Sequence, residues 1–130
     1  MFGLFKKNSP PPIGPDFSGI DSQAKAEAMF RRGDLEKLFL MPLEFGGADN
    51  ALNTLYVPIG LADVKAGIDM NIIAPLATEG KITKYTATPK YQGNSFIPIA
   101  IKIKIVASNP GQFSTTINIW GEALSRSQDE

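Results

Sequence analysis

The most regular pattern in the chain is an alternation of apolar and polar side chains over residues 97–119. Isoleucine occupies the odd positions from Ile97 to Ile105, whereas lysine occupies positions 102 and 104. A period of two is typical of a β-strand with one buried and one exposed face. The alternation resumes at Phe113 after a Ser-Asn-Pro-Gly-Gln segment, whose composition is typical of a turn. Residues 96–120 are therefore predicted to form a long β-hairpin.

The same pattern predicts the register of the hairpin. Side chains that lie opposite each other share a face of the sheet, and the isoleucines of both strands have odd numbers. The numbers of paired residues must then have an even sum, which a two-residue turn formed by Pro110 and Gly111 would not give. We expect a loop of three or five residues instead, with Gly111 at positive φ. Ile103 is expected to be buried in this register.

Two short helices are predicted towards the N-terminal end. Asp21 or Ser22 can cap a helix over 23–32, and Gly33 is suited to end it. Residues 35–41 place three apolar side chains on one helical face, which predicts a second helix.

A third helix is predicted over 61–72. Its apolar residues recur at intervals of three and four, which is helical spacing, and Pro75 should end or kink the helix. The charged residues of this segment, Asp63, Lys65 and Asp69, are expected to face water.

Further strands are predicted at three places, 43–45, 54–59 and 81–88. Together with the helices they define the fold class. We predict an α+β domain with a mostly antiparallel sheet of about four to five strands, which ends in the long C-terminal hairpin. The N-terminal helices and one crossover helix are expected to pack on one face. A parallel pair of strands joined through the crossover helix would make the sheet mixed.

Composition divides the chain into three parts. Residues 1–20, which contain three consecutive prolines, are predicted to form a flexible leader in extended conformation. Its alternative roles are a ligand for a proline-binding domain or a weak membrane anchor. Residues 21–124 are predicted to form a single globular domain, and residues 125–130 a polar, frayed tail.

Missing residue types exclude several kinds of chemistry. The chain has no cysteine, which excludes disulfides, thiolate zinc sites and a cysteine nucleophile. It has no histidine, which excludes a Ser-His-Asp triad and removes the commonest metal ligand. No catalytic residue, cofactor or metal ligand is therefore predicted, and we expect a non-catalytic protein.

The N-terminal sequence and the hydropathy of the chain predict a cytoplasmic protein. The first residues are apolar and then basic, which is the reverse of a secretory signal. No apolar run approaches the ~20 residues that a membrane span needs.

Charge is distributed unevenly although the net charge is zero. No acidic residue lies between Glu79 and Glu122, an interval that contains five lysines. By alternation, the side chains of positions 102, 104 and 120 share the exposed face of the hairpin. The predicted partner-binding residues on and beside this face are Lys84, Tyr91, Lys102, Lys104 and Trp120. The alternative is that the lysines only keep an exposed sheet face in water, with Trp120 covered by the N-terminal helices.

Carboxylates and tyrosines are the remaining candidates for chemistry. Glu44, Asp49, Asp63 and Asp69 match no calcium-binding pattern and are expected to be solvated. An enzyme built on carboxylates or tyrosine would need a concave pocket in which groups such as Glu44, Asp49 and Tyr56 converge.

Three functions remain as hypotheses. The leading one is a small protein that binds another protein, of the kind that bacterial immunity and adaptor proteins represent, through the lysine and aromatic face of the sheet. The alternatives are a nucleic-acid-binding module that uses the same face and a small carboxylate- or tyrosine-based enzyme. Nucleic acid is disfavoured because the patch has no arginine and the domain is not basic overall. A homodimer could form through an edge of the sheet.

Overall fold

The computed structural model describes residues 15–107 and 112–128, and side chains are described as far as Leu124. Within these residues the chain forms helices and antiparallel strands, which confirms the predicted α+β class. The strands are β1 (Leu35–Phe39), β2 (Thr54–Pro58), β3 (Ile82–Lys90), β4 (Ala100–Ala107) and β5 (Gln112–Asn118). The helices are α1 (Gln23–Arg31), α2 (Leu61–Ile68), α3 (Ala74–Thr78) and α4 (Gly121–Gln128). A π-helical turn, Asp69–Ile73, joins α2 to α3.

The described strands form two antiparallel sheets instead of the predicted single sheet. β1 and β2 make a two-stranded ribbon, and β3, β4 and β5 make a three-stranded sheet with β4 in the centre. The crossover through α2 and α3 connects β2 to β3, which belong to different sheets. The parallel pair that would have made the sheet mixed is therefore not formed by these strands.

The hairpin has the predicted register. Ile103 lies opposite Thr115 and Ile105 lies opposite Phe113, so the paired numbers have an even sum. Ile103 and Ile105 are fully buried, which confirms that the odd positions of β4 face the core. Val106 and Gln112 are the last described pair, and the predicted positive φ of Gly111 lies outside the described residues.

A β-bulge at the start of β3 adjusts which side chains face the core. Ile82 pairs with Ala107 and Lys84 pairs with Val106, so Thr83 is an extra residue between them. A bulge of this kind moves the preceding side chain to the other face. Ile82 therefore packs against the core on the same side as Tyr85, although their numbers differ in parity.

Two short elements differ from the prediction. Residues 35–41 were expected to be helical, but β1 runs from Leu35 to Phe39 and pairs with β2. Leu35 and Leu38 are both 2% exposed although they point to opposite faces of the strand. A ribbon buried on both faces has no period-two pattern, so its three-residue apolar spacing resembles that of a helix. The predicted strand at 43–45 is a 3-10 turn that ends at Gly46, with φ 97°.

The ends of the domain are more ordered than predicted. The Ser22 hydroxyl caps α1, as expected, but residues 15–20, predicted to belong to a flexible leader, are docked on the domain. The Phe96 amide donates to the Ile20 carbonyl at 2.7 Å, and the Ser95 hydroxyl donates to the Phe17 carbonyl at 2.8 Å. At the other end, α4 continues to Gln128 where a frayed tail was predicted. The three prolines at 10–12 lie outside the described residues.

Candidate functional site

The three-stranded sheet has one covered and one open face. The isoleucines of β4 form the covered face, where they pack with residues of α1, α3 and the β1–β2 ribbon. The opposite side is called the outer face here. It consists of the even-numbered residues that pair across the strands. Its lysines and hydroxyl residues are Lys84, Thr86, Thr88, Lys90, Lys102, Lys104, Ser114 and Thr116, and the other members are Ala100, Val106, Gln112 and Asn118.

Lysines and hydroxyl groups alternate across the outer face. Lys104 lies between Thr86 and Ser114, and Lys102 lies between Thr88 and Thr116. All three strands fall in the interval without acidic residues, so no carboxylate belongs to this face. The ion pairs found within the described residues involve other basic side chains. Among the residues that the structure describes, no carboxylate therefore neutralises the positive charge of the outer face.

Two of these lysines flank a small pocket. Lys84, Thr86, Lys104 and Val106 line a depression of about 120 Å³. Because Lys104 is directly opposite Thr86, it is the diagonal neighbour of Lys84. Like charges at this spacing repel each other. An anionic group placed between the two ammonium groups would relieve that repulsion.

Trp120 is not part of the outer face, which corrects the prediction. It is 1% exposed, its indole Nε1 donates to the Ile97 carbonyl at 3.0 Å, and its ring meets Phe17 edge-on at 5.8 Å. The alternation on which the prediction depended ends with β5 at Asn118. Trp120 is therefore a core residue, and the N-terminal segment before α1 contributes to its cover.

Tyr91 lies just beyond the end of β3. It is 43% exposed, and partial burial of its ring raises the pKa of its hydroxyl. Phe96, in the same loop, is 45% exposed. These two residues are the exposed aromatics nearest in sequence to the outer face, and the role of Tyr91 in binding stays a prediction.

A second candidate site is a pocket of about 310 Å³ on the covered side of the sheet, called the Lys65 pocket here. It lies between the end of β1, the following 3-10 turn and the helical crossover. Apolar side chains make up most of its wall, with charged groups at intervals. The lining residues are Lys37, Leu38, Phe39, Pro42, Leu43, Glu44, Ala62, Asp63, Lys65, Ala66, Asp69 and Met70.

Three polar side chains form a closed cluster beside this pocket. Lys65 Nζ donates to Asp69 Oδ2 at 2.6 Å and to the Tyr85 hydroxyl at 2.9 Å. The Tyr85 hydroxyl in turn lies 3.0 Å from Asp69 Oδ1, to which it donates, and 3.3 Å from the Leu40 carbonyl. Lys65 and Asp69 are only 2% and 3% exposed. The prediction that these two charges face water is therefore wrong.

Burial controls the protonation of this cluster. Desolvation lowers the pKa of the Lys65 ammonium, against the opposing effects of Asp69 and Glu44. Desolvation also raises the pKa of the Tyr85 hydroxyl far above its usual range, and the Asp69 carboxylate adds to the effect. Both shifts favour neutral groups, as expected where water is excluded.

The spacing of apolar residues assigned Lys65 and Asp69 to the wrong face of the helix, because the buried side of the crossover contains charged residues. Leu61, Lys65, Asp69 and Ile73 are spaced by four and face inward, whereas Val64 is 51% exposed. The π-helical turn also shifts the phase of the helix, which leaves Ile72 39% exposed. The sequence offers one signal for the cluster, a Lys–Asp pair at i, i+4, and that spacing is also common on exposed helices.

The groups proposed for a carboxylate- or tyrosine-based enzyme do not converge. Glu44 lines the Lys65 pocket, whereas Asp49 and Tyr56 line a separate open cavity beside α1. Within residues 15–107 and 112–128, no three acidic side chains are grouped as metal ligands would be.

Comparison with protein-family models, with curated proteins and with solved structures finds no match to this chain. In the described part of the chain, no helix has the length and hydrophobicity needed to cross a membrane.

Proposed function

We propose that this is a non-catalytic binding protein whose outer face receives an acidic surface of another protein. The observation that carries the proposal is the set of four lysines on one open sheet face that has no carboxylate. An acidic partner would be attracted to this face, and charge complementarity of this kind raises association rates and specificity. We propose that it acts as a small immunity-type or adaptor-type protein.

The small pocket between Lys84 and Lys104 supports the same proposal. A carboxylate of the partner would fit between two ammonium groups that otherwise repel each other, and the hydroxyl groups of the outer face can take part in further hydrogen bonds. Tyr91 at the sheet end would add an aromatic contact at the border of the interface.

Protein is favoured over nucleic acid because Trp120 is buried. Single-stranded nucleic acid binds by stacking its bases on exposed aromatic rings beside basic groups. None of the paired even-numbered residues that form the outer face is aromatic.

The test is affinity capture of the tagged full chain from its native lysate, with and without nuclease, followed by mass spectrometry. The expected result is one stoichiometric acidic protein that survives nuclease and is lost with Lys102→Glu/Lys104→Glu. The control is Lys25→Glu/Arg31→Glu, which makes the same change in charge on the exposed surface of α1. Equal capture by both variants would refute the proposal, and loss of all bound material on nuclease treatment would favour nucleic acid.

Two further features belong to this proposal. β5 is an edge strand of the three-stranded sheet, and unpaired edges can join two copies of a chain. Light scattering over a concentration series tests for that homodimer, and cell fractionation tests the proposed cytoplasmic location.

A further inference from the structure

We propose that the Lys65 pocket binds a small, neutral, apolar aldehyde or ketone, and that Lys65 Nζ holds it as a reversible Schiff base. This site is independent of the outer face, because Lys65 and Tyr85 lie on the covered side of the sheet. The proposal depends on three features, namely the amine, the groups that move its protons, and the chemistry of the pocket wall.

The amine is placed as a nucleophilic lysine requires. A lysine attacks a carbonyl carbon only as the neutral amine, and desolvation in an apolar site favours that form. Lys65 is 2% exposed and lines a pocket with a mostly apolar wall. Burial lowers the pKa of its ammonium, so the neutral amine forms more readily than on an exposed lysine. The lysines of the outer face are exposed and have no such surroundings.

Asp69 and Tyr85 can carry every proton that the reaction moves. Asp69 Oδ2, 2.6 Å from Nζ, takes a proton from the ammonium, and the free amine attacks the carbonyl carbon. The carbonyl oxygen takes the Tyr85 proton, which Asp69 replaces through its 3.0 Å contact. Asp69 then removes a second proton from nitrogen and returns it through Tyr85 to the departing hydroxyl. The ammonium and the carbonyl compound thus give a protonated Schiff base and water, and Asp69 and Tyr85 end unchanged.

The pocket wall selects the kind of carbonyl compound. Leu38, Phe39, Pro42 and Met70 offer contact to a hydrocarbon chain, and a volume of about 310 Å³ suits a small molecule. Glu44, Asp63 and Asp69 outnumber the two lysines that line the same pocket. A keto acid or another anion would be repelled by this excess of carboxylates, so a neutral compound fits better.

The experiment treats the full chain with hexanal and sodium cyanoborohydride at neutral pH, which converts each Schiff base into a stable alkylated lysine. Peptide mass spectrometry then gives the rate of labelling at every lysine. We expect Lys65 to be labelled several-fold faster than the exposed reference Lys25. Hexan-1-ol, which has the same chain but no carbonyl group, should slow labelling of Lys65 alone.

A pair of variants separates the pocket from general reactivity. Ala66 is exposed and lines the pocket, so Ala66→Trp should obstruct it and slow labelling of Lys65 several-fold. Ala24→Trp makes the same change on the exposed surface of α1 and should leave the rate unaltered. Labelling of Lys65 no faster than that of Lys25, or labelling insensitive to both hexan-1-ol and Ala66→Trp, would overturn the proposal. Neither result would affect the capture experiment on the outer face.

Discussion

Replacing Lys65 by methionine would leave the Asp69 carboxylate buried without its cation. In the intact protein their charged atoms are 2.6 Å apart, and the two side chains are 3% and 4% exposed. After Lys65→Met, the hydrogen bond from the Tyr85 hydroxyl is the one side-chain hydrogen bond that Asp69 keeps among the described residues. One neutral donor cannot replace the solvation that the carboxylate loses on burial.

The size of the effect follows from this burial. Removing one partner of a buried ion pair typically costs about 3–5 kcal/mol, because an uncompensated charge stays in the interior. We expect Lys65→Met to fall in this range, which is a large part of the roughly 5–15 kcal/mol of a typical domain. Lys65→Met/Asp69→Leu removes both charges and should recover most of the loss, since apolar residues of similar volume can replace a buried pair at little cost.

Urea unfolding followed by far-ultraviolet circular dichroism measures these free energies. Lys25→Met is the matched control, because Lys25 and Asp21 also form an i, i+4 pair, at 2.8 Å, but their side chains are 56% and 51% exposed. The free energy of unfolding of Lys25→Met should be indistinguishable from that of the wild type. Equal losses for Lys65→Met and Lys25→Met, or a double variant no more stable than Lys65→Met, would refute the reasoning.

The other predictions concern the sheet and the pH dependence of stability. Ile103→Ala should cost about 2–5 kcal/mol in urea unfolding, because it opens a cavity in a fully buried strand; a loss below ~1 kcal/mol would contradict the core assignment. Lys102→Glu should change stability by no more than about 0.5 kcal/mol by the same assay, and an unfolded variant would reverse the assignment of the faces. Folding raises the pKa of the buried Tyr85 hydroxyl, which lies beside Lys65 and Asp69. Above about pH 10 this hydroxyl therefore loses its proton in the unfolded chain but keeps it in the folded protein. The free energy of unfolding of the wild type should therefore fall above that pH, and that of Tyr85→Phe, measured over the same pH series, should fall less. Parallel curves for the two proteins would contradict the burial of the Tyr85 hydroxyl.

The hairpin could be predicted from sequence because its evidence is local. The period-two pattern of β4 and β5 assigns each isoleucine to a face, and parity limits the partners of Ile103 to odd-numbered residues, of which the structure selects Thr115. The same reasoning failed at Trp120, only two residues after β5 ends, where strand geometry no longer applies. Alternation therefore predicts a face only within the strand itself.

The Lys65 cluster could not be predicted because it depends on contacts between distant segments. Tyr85 lies beside the crossover because β3 pairs with β4 and the helix packs on the covered face. Charge in a sequence predicts exposure on average, and the exceptions require partners that only the tertiary structure supplies. The β1–β2 ribbon could not be predicted for a similar reason. Its strand β1 is buried on both faces, which removes the period-two alternation that identifies a strand.

The contact between Phe17 and Trp120 also bears on how the domain is made. Trp120 follows the last strand, whereas Phe17 precedes the first helix, so the two meet only when almost the whole described chain is present. On the ribosome, the N-terminal segment must wait for β5 and Trp120 to emerge before its aromatic contact can form. Since Trp120 is the single tryptophan of the chain, its fluorescence would follow the formation of this contact without an added label.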